Sequence, residues 1–232
     1  MALAAAERIV VWAGRAIDAR GRFSMALAGG STPRATYRRL ASEPYRSKID
    51  WALGHVFWGD ERCVPPTHPH SNYAMAYESL LSKVPIPDEN VHRVQGEGNA
   101  EGAARAYAGE LQRFFGTALP RFDLVLLGMG SDGHTASLFP GSAVLDEMER
   151  AVVVVSADYQ HRPSCRVTLT PVAISAARVV MFLVTGGQKA SMVQRVLEGP
   201  PRSFPAQFIR PVNGELYWLL DAAAASQLSG CV

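Results

Sequence analysis

Residues 122–141 read FDLVLLGMGSDGHTASLFPG. Four consecutive apolar residues, 124–127, run straight into Gly128-Met129-Gly130. So short a run, apolar at every position, predicts a strand buried on both faces, the situation of a parallel sheet covered by helices. Gly128 and Gly130 end the run, and Pro140-Gly141 stops whatever follows within a turn or two. In such sheets ligands bind beyond the carboxyl ends of the strands, so the loop beginning at Gly128 is where chemistry is expected.

Outward from this stretch the same alternation repeats. Short apolar runs at 24–28, 55–58, 152–155, 179–184 and 216–220 predict further strands, and 91–94 a short one. Between them fall helical periods. An amino-terminal amphipathic helix places Ile9, Trp12 and Ala16 on one stripe, and another runs from Pro33 to about Ala41. A third, over 73–81, puts Tyr73, Tyr77, Leu80 and Leu81 on one face. Over 100–115 the stripe is Ala103, Tyr107, Leu111, Phe114 and Phe115. A last helix is predicted at 188–197, and an alanine-rich tail closes the chain. Doubly apolar strands alternating with helices predict one α/β domain over residues 1–232, with a mainly parallel sheet covered on both sides.

Composition narrows the function classes. The 232 residues are 48% hydrophobic and 19% charged, which excludes disorder, collagen and coiled coil. The 23 basic and 21 acidic residues give a net charge of +2 with no block of like charge, so no nucleic-acid arm is expected. No run approaches the ~20 apolar residues of a membrane span, and Glu7, Arg8 and Arg15 interrupt the amino-terminal run where a signal peptide would be apolar. Cys63, Cys165 and Cys231 are far apart in sequence and form no C-x-x-C pair. That argues against a zinc knuckle or a disulfide scaffold and fits a cytoplasmic protein.

Four places at predicted strand ends carry chemistry. Gly29-Gly30-Ser31-Thr32-Pro33-Arg34 turns a strand into a helix; it reads either as an anion site of helix amides and hydroxyls or as an ordinary turn with Ser or Thr capping. Asp60-Glu61-Arg62 follows a strand and reads as a pocket wall or as a solvated loop. Gly128, Gly130 and Gly133 spell G-x-G-x-x-G, and Asp158 follows about 25 residues later, which suggests a dinucleotide site. Against that reading, Asp132 would meet a pyrophosphate with like charge, and Pro140 cuts short the helix such a site needs. The preferred reading takes His134 as a general base, suited to that work near neutral pH, with Asp132 orienting it or capping a helix. Of the other histidines, His68 and His70 lie in a Pro-rich loop, and His55, His92 and His161 have no glycine-rich setting. Arg166 opens RVTLTP, and Lys189 stands near a helix start, where a cation is disfavoured unless an anion binds.

Taken in order, LAGGSTP, FWGDERCVPPTHPHSNY, FDLVLLGMGSDGHTASLFPG, RVTLTP and VTGGQKA resemble the 6-phosphogluconolactonase family from about Leu27 to Ala190. The resemblance implies a Rossmann-like three-layer α/β/α fold with a mainly parallel sheet, as in glucosamine-6-phosphate deaminases, ribose-5-phosphate isomerase and CoA-transferases. It implies hydrolysis of 6-phospho-D-glucono-1,5-lactone to 6-phosphogluconate without metal or organic cofactor. By matching motif, His134 is the base and Asp132 its support. Gly30, Ser31, Thr32, Arg62, Arg166 and Lys189 would hold the phosphate, and Asp60 opens the family's DER motif. Ser131 stands where many members carry proline. For the oxyanion, loop amides near Gly30 or Gly133 are the expected donors. Two rival readings remain. Deaminases of the same fold carry an acidic residue five positions after the histidine, where this chain has Phe139. Non-catalytic sugar-phosphate sensors usually carry an added DNA-binding domain, for which 232 residues are expected to leave no room. The expected partner is a small-molecule substrate, with no nucleic acid or membrane, and the chain a monomer or weak homo-oligomer.

Overall fold

The computed structural model describes residues 1–159 and 162–230. His161 and Cys231, considered above, lie outside the described residues. The first helix, α1 (Ala2–Arg20), buries Ala5, Ala6, Ile9, Ala13 and Ala16 along one stripe. It ends at Gly21, whose φ of 69° is left-handed and whose N–H donates to the Ile17 carbonyl. Trp12 stays half-buried beside that stripe, against Tyr217 with ring centroids 5.1 Å apart.

Five strands form a parallel sheet: β1 (Phe23–Leu27), β2 (Gly54–Trp58), β4 (Leu124–Leu127), β7 (Val179–Val184) and β8 (Glu215–Leu220), in the order β2-β1-β4-β7-β8. Every residue of β1, β4 and β7 is buried, as continuous apolar runs require. Helices α2 (Ser31–Leu40), α3 (Asn72–Ser79), α4 (Ala100–Phe115), α5 (Pro171–Ser175) and α6 (Ala190–Glu198) complete an α/β fold with the sheet flanked by helices. From β1 the chain crosses to β2 on one side, and from β4 it crosses to β7 on the other. The direction of winding therefore reverses between β1 and β4, and a crevice opens at their carboxyl ends.

A second, antiparallel sheet stands beside that crevice: β3 (Asp60–Arg62), β6 (Cys165–Leu169) and β5 (Val152–Ser156), in the order β3-β6-β5. Gly59 joins the two sheets, its N–H donating to the Leu27 carbonyl at 2.9 Å and its carbonyl accepting from Leu169 N–H at 2.8 Å. Two buried tyrosines finish the strand ends where the ladder stops. Tyr37 Oη accepts from Ala28 N–H and donates to the Ala28 carbonyl, and Tyr107 does the same for Trp58. Both phenols are pushed above their ordinary pKa, by burial first, and remain neutral donors.

Four sequence expectations are corrected. Residues 91–94 are not a strand: only Val91 bridges Val56. The run 152–155 is a strand, but it lies in the antiparallel sheet, and its burial fades toward Ser156. The helix expected from Pro33 begins two residues earlier at Ser31; Pro33 remains in the first turn, where a missing N–H costs nothing. Finally, α3 stops at Ser79, and Tyr77 points out, 52% exposed, rather than sharing a buried face with Leu80 and Leu81.

Candidate active site

The crevice is a cleft of about 270 Å³. Its walls include Gly30, Ser31 and Thr32 after β1, Asp60 and Arg62 of β3, Gly130 and His134 after β4, Arg166 of β6, and Lys189 after β7. Asp132, Glu61 and Gly133, also singled out in sequence, are not part of this wall, but Asp132 contacts one of its members.

Asp132 Oδ1 lies 2.5 Å from His134 Nδ1 and accepts the His134 backbone N–H at 3.2 Å. Burial works to raise the Asp132 carboxyl, but the hydrogen bonds from His134 and its charge outweigh it and hold the group below the usual carboxylate range. An ionised carboxylate only accepts, so Nδ1 carries the proton and Nε2 is left with the free lone pair. The imidazole is 15% exposed. Phe139 stacks on it, with centroids 4.7 Å apart at 28°, and Tyr159 meets it edge-on at 4.6 Å. Gly130 makes this geometry feasible: a Cβ there would sit 2.1 Å from His134 Nδ1 and 2.5 Å from Asp132 Oδ1. The segment after Gly133 forms turns and a Thr135–Leu138 bridge, so Asp132 caps no helix and no helix start faces the cleft from this loop.

The opposite half of the cleft is cationic. Gly30 is the N-cap of α2 at φ 105°, a conformation that side chains rarely adopt, and no side chain caps the helix. The hydroxyls of Ser31 and Thr32 therefore do not cap, which corrects that alternative. The first-turn amides are left without intrahelical acceptors beside the cleft. Thr32 Oγ1 pairs instead with Thr185 Oγ1 at 2.8 Å, tying the start of α2 to the end of β7.

Arg62 and Arg166 face each other across the β3–β6 ladder. Arg166 is 2% exposed, and its Nε and Nη2 have no hydrogen-bond partner among the described residues. Burial lowers its pKa, which Asp60 partly offsets, and one edge of the guanidinium lies over Phe139, 5.3 Å from the centroid. Arg62 Nη1 donates to the His70 carbonyl at 2.5 Å, while its Nε is likewise unpartnered. Lys189 is pushed below the ordinary lysine value by burial, with Asp132 opposing the shift. Buried donors without acceptors are rare in proteins, and three cations sharing one wall point to an anionic ligand.

Asp60 is positioned by Ser137 Oγ at 2.7 Å and Asn72 Nδ2 at 3.2 Å. Glu61 faces away from the cleft and holds the loop after β3: it accepts from Arg62, Asn72 and Tyr73 N–H and from Ser71 Oγ. Burial still raises its pKa against those bonds. The amide of Gly133 donates to the Gly130 carbonyl and that of Gly130 to the His134 carbonyl. Tyr159, Arg162, Thr185 and Gln188 also line the cleft and were not singled out from sequence. The first two lie in a polar loop whose only signal was its place after a strand.

A family model described as glucosamine-6-phosphate isomerases/6-phosphogluconolactonase matches residues 1–218. A relative from Nostoc sp., a 6-phosphogluconolactonase, is 44% identical over 220 residues, covering 92% of this chain and 88% of its own. The structure of 6-phosphogluconolactonase from Trypanosoma brucei superposes with a TM-score of 0.87 at 36% identity, covering 98% and 94% of the two chains. A monomeric glucosamine-6-phosphate deaminase superposes with a TM-score of 0.82 at 22% identity, covering 97% and 94%, a likeness of fold.

Proposed function

The chain belongs to the family of glucosamine-6-phosphate isomerases and 6-phosphogluconolactonases, and from that premise we propose how its residues carry the reaction. It is a lactonase, an enzyme that hydrolyses 6-phospho-D-glucono-1,5-lactone to 6-phospho-D-gluconate in the oxidative pentose phosphate pathway. Arg62, Arg166, Lys189 and the first-turn amides of α2, with Ser31 and Thr32, grip the phosphate dianion. Gly30 brings that backbone close, and Asp60, held by Ser137 and Asn72, supports the charge of Arg166. Binding energy from this remote group places C1 against the base.

His134 Nε2 takes a proton from water as the water oxygen bonds to C1. The tetrahedral oxyanion then collapses, the C1–ring oxygen bond breaks, and the imidazolium returns the proton to the departing oxygen. Asp132, ionised, holds the ring in the productive tautomer and stabilises the imidazolium. A positioned base of this kind contributes about 10²–10⁴-fold. Loop amides near Gly30 or Gly133, other than those that grip the phosphate, are the candidate donors for the oxyanion.

The observation that carries most weight is that a buried, half-unpartnered Arg166 and an Asp132-oriented His134 open on one cleft. We further read residues 1–232 as one domain acting in the cytoplasm, a reading supported by a single core cluster that takes in both sheets and by the free thiols of Cys63 and Cys165. Initial-rate hydrolysis of fresh 6-phosphogluconolactone, with spontaneous loss subtracted, is measured beside ammonia release from glucosamine 6-phosphate. Fast lactone loss without ammonia is expected. Ammonia release would move the chain to the deaminase branch, and silence in both would leave a sugar-phosphate binder.

A further inference from the structure

Cys63 and Cys165, 102 residues apart in sequence, meet at the end of the β3–β6 ladder. Cys63 N–H donates to the Cys165 carbonyl at 3.0 Å, and Cys165 Sγ donates to Cys63 Sγ at 3.0 Å. Both are free thiols and half-buried, so a small reagent reaches them. The next rung of the ladder toward the cleft is Arg62 opposite Arg166. Side chains alternate along a strand, so Arg62 and Arg166 face the cleft while the two cysteines lie together on the reverse face, with Glu61.

We propose that Cys63 and Cys165 are a redox-modified pair: a low-molecular-weight disulfide oxidises them to an intramolecular disulfide that resets the spacing of Arg62 and Arg166 and weakens the hold on phosphate. This rests on the phosphate role given to the two arginines above. In the first step the Cys165 thiolate attacks one sulfur of the oxidant, its S–S bond breaks, and one thiol leaves with a proton. Cys63 then attacks Cys165 in the mixed disulfide, forms the Cys63–Cys165 bond and expels the second thiol. Two cysteines lose two electrons and two protons, and the oxidant becomes two thiols. Burial first, then the Cys165 hydrogen bond and the charges of Cys165 and Glu61, push the Cys63 thiol up to about 12, which disfavours Cys63 in the first attack. Bonding draws the sulfurs from 3.0 Å to ~2.05 Å, a pull applied one residue from each arginine.

The test treats the reduced protein with glutathione disulfide, then reads intact mass, free thiols, peptide linkage and kinetics. The expected result is a loss of two hydrogens, a peptide joining Cys63 to Cys165, and one free thiol left of the chain's three. KM for phosphorylated lactone should rise about threefold or more with kcat nearly unchanged, reversed by dithiothreitol. Cys63→Ser and Cys165→Ser should keep the reduced-state KM in the presence of oxidant. Three retained thiols, a stable glutathione adduct, linkage to Cys231, or a Cys63–Cys165 disulfide with unchanged KM would each overturn the proposal. If the reduced protein hydrolyses no lactone, the functional reading fails. The pair then stands or falls on the linked peptide together with weakened binding of 6-phosphogluconate on oxidation.

Discussion

His134 is one imidazole among six in the sequence, and its neighbours set its role. Asp132 spends its charge on Nδ1, and Phe139 and Tyr159 wall the ring on two sides. Replacing Asp132 with Asn removes the anion but keeps the shape. The imidazolium is then less favoured, so the rise of kcat/KM on the acid side should move to lower pH, with a loss of about 10- to 100-fold at its plateau. A pH–rate profile checks this, and an unmoved limb would deny Asp132 its part. Gly130 offers a second check at the same scale. A methyl group there collides with both members of the pair, so Gly130→Ala should cost about as much turnover as losing the base, up to ~10²–10⁴-fold, while urea unfolding changes far less. Both residues were legible in sequence, because a histidine two positions from an aspartate in a glycine-rich strand end leaves few other readings. Tyr159 was not, since an aromatic in a polar loop gives no sign of where the loop folds back.

Among the elements, β6 is where sequence reading reached least. RVTLTP stood out for its arginine, yet neither β6 nor β3 was read as a strand: β3 is three charged residues, and in β6 Arg166 and Thr168 break the apolar run that marks a doubly buried strand. Their pairing is what sets Arg62 opposite Arg166 and brings two distant cysteines together. Among the parallel strands, β4 and β7 were legible to the residue, because burial on both faces leaves them as continuous apolar runs. For β6, Arg166→Gln should raise KM for phosphorylated lactone about 10- to 100-fold through lost charge-assisted hydrogen bonds, and hardly touch unphosphorylated gluconolactone. Equal effects on the two substrates would refute the phosphate role. On β2, His55 is lowered to about 4 by burial first and then by His92 and Arg22. Its folded pKa lies below the ordinary value near 6.5, so its contribution to stability is complete above that value and is lost as pH falls through about 4. Thermal melts should therefore show Tm dropping between pH 6.5 and 4 more steeply for the native chain than for His55→Asn. Parallel curves would contradict this.

For the whole molecule, the site follows from winding. The chain leaves β1 in one direction and β4 in the other, and the crevice so formed receives an anion-ready helix start from one strand and a histidine loop from the next. The antiparallel sheet closes the crevice with two arginines, and the turn after β7 adds Lys189. Base and anchor thus come from segments spread along the chain from Gly30 to Lys189, and only the fold relates them. The most direct test is the steady-state rate of His134→Gln on freshly prepared 6-phosphogluconolactone, corrected for spontaneous hydrolysis and set beside the native enzyme. The account predicts a kcat lower by about 10²–10⁴-fold with KM little changed and the thermal melt preserved. Native-like turnover by that variant would contradict it.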